Sequence, residues 1–135
     1  MKSVIGRDEI KEVEKKFVIE DESLFYKGRK PKNTREAFVI SLAKWTILLR
    51  ETKKGNDVND GNVYTCGLCM KFLDEENGYD EICSRCPIFK ETGKQQCRGT
   101  SYYRFRDSYE MEERLLAAKE ELKFLTDLAN KTLKS

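Results

Sequence analysis

The sequence predicts an α+β domain in which two long amphipathic helices flank a small cysteine-bearing module, preceded by a short β-hairpin. Three observations carry this. Two segments, 34–51 and 108–133, have apolar residues at helical spacing. All five cysteines fall between them, in residues 66–97. Ahead of both lies "FVIEDESLFYKG", two short β-prone runs around an acidic turn.

The hairpin is placed at 17–19 and 24–27, after a short polar helical turn over 7–16. Gly28 and Pro31 then break the chain in a basic loop, so residues 1–33 form an N-terminal hairpin and loop. In the core helix, 34–51, Asn33 or Thr34 offers the oxygen that caps exposed helix-start amides. Phe38, Leu42, Trp45 and Leu49 form one stripe, which Val39, Ala43 and Ile47 widen. With Ile40 and Leu48, most of the circumference is apolar, so this helix is expected to be buried on more than one side. "KKGNDVNDGN" ends it as a hydrated loop. The C-terminal helix, within 107–133, is expected to start from a capping box of Asp107 and Glu110. Its seam is Met111, Leu115, Ala118, Leu122, Leu125, Ala129 and Thr132, broadened by Leu116, Phe124 and Leu128. The plain expectation is that this face packs on the Trp45 helix; the sharper one is a homodimer or partner interface.

At 135 residues the chain is one domain, 1–135. Charged residues make up 37% of it, and residues 52–107 have few aliphatic side chains to bury. Cross-links replace core where core is missing. No signal-peptide pattern and no apolar run long enough to span a bilayer is seen, so a cytoplasmic setting and no membrane partner are expected. Thiols stay reduced there, and an odd count of five argues against a disulfide framework.

The cysteines are spaced C-x2-C-x13-C-x2-C-x10-C. Two C-x-x-C turns present four sulfurs to one ion, and Zn²⁺ closes its tetrahedral shell with four such ligands. The module, residues 63–106, is therefore expected to be a zinc-knuckle or ribbon-like zinc finger with a structural Zn²⁺. The default ligands are Cys66, Cys69, Cys83 and Cys86; the rival set takes Cys97 in place of Cys83. The fifth thiol is then either a buried space-filler or a reactive group. Iron–sulfur binding and dithiol redox chemistry fit the paired short turns and their setting less well. Four thiolates and one Zn²⁺ add −2, which cancels the formal charge of +2.

The sequence contains no histidine, and hence not the commonest general base. Phosphate-loop and dinucleotide motifs are also missing, so an enzyme is not expected. The acidic "LDEENGYDE" lacks calcium-loop spacing and reads as a solvated hairpin tip. "RGTSYYRFRDSY" interleaves Arg98, Arg104 and Arg106 with Tyr102, Tyr103, Phe105 and Tyr109. Such a run suits stacking on bases and pairing with phosphates, with Lys27, Arg29, Lys30, Lys32 and Arg35 as a possible second patch. The plainer alternative is a strand burying Tyr103 and Phe105 and exposing Tyr102, Arg104 and Arg106.

"CGLC", "CSRCPI" and "CRGTSYYRF", closed by a leucine-rich helix, resemble small cysteine-rich proteins encoded by bacteriophages. Their pattern is C-x-L-C, C-x-x-C-P, a later C, then T-P-Y and an aromatic residue. The likeness spans about residues 66–125 and is carried by Cys66, Leu68, Cys69, Cys83, Cys86, Pro87, Cys97, Thr100 and Tyr102. Ser101 stands where proline is usual and Phe105 where tryptophan is. The resemblance implies a phage-encoded, metal-binding accessory protein, gives Cys97 structural weight and brings no catalytic residues. The expected function is non-enzymatic: an accessory or inhibitor protein that binds a host macromolecule, most simply a host protein. The alternative is nucleic-acid binding through Arg98, Tyr102, Tyr103, Arg104 and Arg106, with Lys27, Arg29 and Lys30.

Overall fold

The computed structural model describes residues 4–60, 66–68, 87–92 and 100–133, with residues 89 and 90 as backbone only. The chain is α+β: a two-stranded hairpin and helices. The described elements are α1 (Arg7–Glu14), β1 (Phe17–Glu20), β2 (Ser23–Tyr26), α2 (Thr34–Lys53), α3 (Pro87–Thr92), α4 (Tyr102–Asp107) and α5 (Met111–Leu133). No helix among the described residues is long and apolar enough to cross a membrane.

Helix α2 is the spine, as its nearly continuous apolar surface predicts. Residues 37–45 are all buried, as are Ile47, Leu48 and Thr52. Asn33 caps it, its side-chain oxygen accepting from the Glu36 amide at 2.8 Å. Gly55, with φ +86°, ends it in the left-handed conformation that glycine adopts without a Cβ penalty. Helix α5 packs along α2, and α1 also rests on α2, with Ile10 and Val13 packed against the core. The ion pairs Arg35–Glu9 and Arg50–Glu14 border that contact.

The hairpin is antiparallel, with Phe17 opposite Tyr26 and Glu20 opposite Ser23. Its two-residue turn, Asp21–Glu22, has φ values of +50° and +63°, the left-handed pair that matches the twist of the strands. Phe17 and Leu24 face the core, while Val18 and Phe25 lie on the outer face. Residues 57–60 run beside β2: the Leu24 amide donates to Asn59 O, and the Asn59 amide donates to Glu22 O.

Four expectations need correction. The loop after α2 is not hydrated throughout, because Val58 and Asp60 are buried on either side of the exposed Asn59. Residues 102–107 form a helix, not a strand, so Tyr102 and Phe105 share the buried side and Tyr103 is half-buried. Ser101 precedes the first turn of that helix, and the Thr100 hydroxyl accepts from the Tyr102 amide. The capping box at Asp107 does not form, because Asp107 ends α4 and its carboxylate takes Arg106. The Ser108 hydroxyl accepts from the Glu110 amide instead, and α5 begins at Met111. Finally, the buried line of α5 runs through Arg114, Ala117, Ala118, Glu121, Leu125, Leu128 and Ala129. Met111, Leu115, Leu122 and Thr132 are only half-buried. Paired small residues at 117 and 118 give α2 close access to α5, and the line includes two charged side chains that a hydrophobic pattern assigns to the surface.

Candidate metal centre

Of the predicted ligands, Cys66 is described; Cys69, Cys83, Cys86 and Cys97 lie outside the described residues, as does Arg98. Cys66, Gly67 and Leu68 are seated on the middle of α2. Leu68 is fully buried, and its amide donates to the Ser41 hydroxyl at 3.2 Å. The same hydroxyl lies 3.9 Å from Cys66 Sγ. Gly67 is pressed against the helix: a Cβ there would overlap the Ala37 carbonyl and the Ile40 side chain. This is a close backbone approach, which glycine permits.

Two further described segments lie within and just after the cysteine-rich stretch. Directly after position 86, Pro87 opens α3 and Ile88 is buried. Proline suits the first helical position because its missing amide proton is not needed there. Helix α3 rests on α5, with Lys131 paired to Glu91 at 2.9 Å. Beyond position 97, the Thr100 side chain and the Ser101 backbone hydrogen-bond the Glu121 carboxylate. Contacts to α2 or α5 are thus made at the start of the thiol-bearing stretch, within it and just after it.

A few polar side chains are buried beside the apolar contact of α2 and α5. Lys44 donates to Asp60 Oδ2 at 3.2 Å, with the two side chains 4% and 5% exposed. The Lys44 ammonium also lies 5.6 Å from the ring centres of both Trp45 and Tyr102. Glu121 is 2% exposed, and its Oε2 has no hydrogen-bond partner. Burial, reinforced by the charge of Cys66 and opposed by Thr100, Lys44 and Ser101, pushes its carboxyl up to about 7. Sequence reasoning missed Ser41, Lys44, Asp60 and Glu121. Ser41 and Lys44 did carry a signal, being polar residues inside the otherwise apolar "FVISLAKW".

Chemically, Cys66 offers a soft donor on a rigid support, which fits a thiolate-preferring ion such as Zn²⁺. Among the described residues no three potential ligands converge.

The alternative nucleic-acid residues are placed as follows. Tyr102 is 8% exposed and packs edge-on to Trp45, as does Phe105. Arg104 pairs with Glu113 and Glu120; Arg106 pairs with Asp107 and lies 4.4 Å from the centre of the Tyr103 ring. Lys27, Arg29, Lys30 and Lys32 are exposed, and none forms an ion pair with a described residue. Arg35 is paired with Glu9.

The chain matches no known protein family, and no curated protein or solved structure shows significant similarity to it.

Proposed function

We propose that the chain is a non-enzymatic, zinc-stabilised binding protein, a phage-encoded accessory or inhibitor protein that acts in the host cytoplasm by occupying a surface of a host protein. Cys66, Cys69, Cys83 and Cys86 would hold the ion, with Cys97 as the alternative ligand. The observation that carries this reading is the seating of Cys66–Gly67–Leu68 on α2. A thiol fixed by a buried hydroxyl and a helix-contacting glycine is preorganised as a ligand, and no catalytic role is needed to account for it. When bound, the ion would supply a structural cross-link. Recognition would then fall to the surfaces that the cross-link steadies.

Native mass spectrometry of the reduced protein tests the reading. One Zn²⁺ per folded chain is expected, lost in Cys66→Ser, and the same spectrum reports whether the chain is a monomer or a homodimer. A folded protein that holds no ion, and loses no stability to a chelator, overturns the metal assignment. For the partner, a host protein captured from lysate must rebind the purified, metal-loaded chain at micromolar concentration or below. Failure at that step removes the protein-partner assignment.

A second reading, nucleic-acid binding, is favoured by the four cations at 27–32, which form no ion pair with a described residue, beside Phe25, which is 43% exposed. Ring and cations together suit a single strand.

A further inference from the structure

A serine at the centre of a buried helix requires a chemical reason, since an alanine would pack there without a polar group to satisfy. Ser41 is 1% exposed and is flanked along α2 by Ala37, Ile40, Leu42 and Trp45, all buried. Its hydroxyl reaches two atoms of one short turn, the Leu68 amide at 3.2 Å and Cys66 Sγ at 3.9 Å. A hydroxyl has one proton to give and two lone pairs to accept with. The Leu68 amide takes a lone pair, which leaves the proton for the sulfur. If Cys66 ligates an ion, its sulfur is a thiolate with no proton of its own, and Ser41 Oγ–H is then the donor to Cys66 Sγ.

We propose that Ser41 is the positioning residue of the metal centre, fixing the Cys66 turn through the Leu68 amide and hydrogen-bonding the ligand sulfur. This rests on the reading of Cys66 as a ligand. The bond localises charge on the sulfur and holds it at one angle to the helix, as outer hydrogen bonds to metal ligands do. Gly67 and Leu68 complete the seat: one lets the backbone touch α2, and the other buries its side chain beside it. Ion affinity is therefore tied to the middle of the core helix rather than to the cysteine segment alone.

Ser41→Ala removes both bonds. Its matched control is Thr52→Val, which removes another buried α2 hydroxyl, one that donates only to its own helix at Leu48 O. Zn²⁺ affinity is read by competition with a chromophoric chelator, and ligand-sulfur bonding by the charge-transfer band of the Co²⁺-loaded protein. Ser41→Ala is expected to weaken Zn²⁺ binding by about 10- to 100-fold, the usual range for a lost outer hydrogen bond, and to shift the band. Thr52→Val is expected to leave both at wild-type values. Wild-type affinity and an unmoved band in Ser41→Ala overturn the inference, as does an equal loss in the two variants, which would mark a general helix effect. If the wild-type protein itself takes up neither ion, the metal reading fails first. Wild-type uptake with an indifferent Ser41→Ala sinks the positioning role alone.

Discussion

Two stretches of this chain mix aromatic and basic residues, 25–32 and 102–106, and the fold uses them in opposite ways. In the later stretch Tyr102 and Phe105 pack against Trp45, and Arg104 is held by carboxylates nine and sixteen residues further on, Glu113 and Glu120. The hydrogen bond to Glu113, with the charges of Glu113 and Glu120, raises the Arg104 pKa. In the earlier stretch Phe25 is exposed, Lys27 lies over its ring, and Arg29, Lys30 and Lys32 face water. What decides a cation's role is which carboxylates the tertiary fold brings to it, and composition alone does not reveal that.

Breaking the buried stretch gives the largest effect. Phe105 is 1% exposed, meets Trp45 at a ring separation of 5.1 Å, and carries the Arg114 guanidinium 4.1 Å from its ring centre. Phe105→Ala is expected to cost about 3–5 kcal/mol in denaturant unfolding, as large-to-small changes in a packed core do. Phe25→Ala, half in water, is expected to cost under about 1 kcal/mol. Similar losses in the two variants would erase the contrast.

A buried carboxyl sharpens it through pH. Glu121 has its carboxyl raised from 4.5 to about 7, chiefly by burial. Because the folded protein binds this proton more tightly than the unfolded chain, the stabilising contribution is complete below about pH 4.5 and is lost as pH rises through about 7. The total is on the order of 3 kcal/mol. Glu121→Gln keeps an acceptor for Thr100 and Ser101 but cannot ionise. It is expected to exceed the wild type in unfolding free energy at about pH 8 and to differ little at about pH 5. Equal pH slopes for the two proteins would show that Glu121 does not titrate in this range.

These groups also mark what the sequence could and could not disclose. Helix α2, its Asn33 cap and the hairpin were legible, because each depends on local spacing, a short oxygen-bearing side chain or a turn between β-prone runs. The register of α5 was not. Its buried line includes Arg114, which donates to Phe105 O and Val58 O, and Glu121, which receives Thr100 and Ser101. The partners of both come from distant segments, so a hydrophobic count places them outside. Residues 102–107 misled for the same reason. Alternating rings and cations suit a strand, yet the Tyr102 amide bonds the Thr100 hydroxyl and Trp45 takes the two rings three residues apart. At the candidate metal centre the thiol spacing was plain, whereas the helix-borne Ser41 that meets Cys66 is 25 residues distant in sequence.

The smallest effect on stability should come from the basic loop, and it is there that the nucleic-acid reading is decided. Replacing Lys27, Arg29 and Lys30 by alanine removes charges that contact no described carboxylate, so unfolding free energy should move by no more than about 0.5 kcal/mol. If these side chains meet a phosphate backbone, anisotropy with a fluorescent single-stranded oligonucleotide will show affinity falling as salt rises. The triple variant should then flatten the slope of log affinity against log salt by about 0.7 for each cation that contacted a phosphate. Arg104→Ala should leave that slope unchanged, because its guanidinium already serves Glu113 and Glu120. A slope that depends on Arg104 and not on the loop would reverse the roles given to the two stretches. If the wild-type protein shows no salt-dependent binding at all, these cations have no nucleic acid to meet, and an acidic protein surface becomes the partner their charge fits.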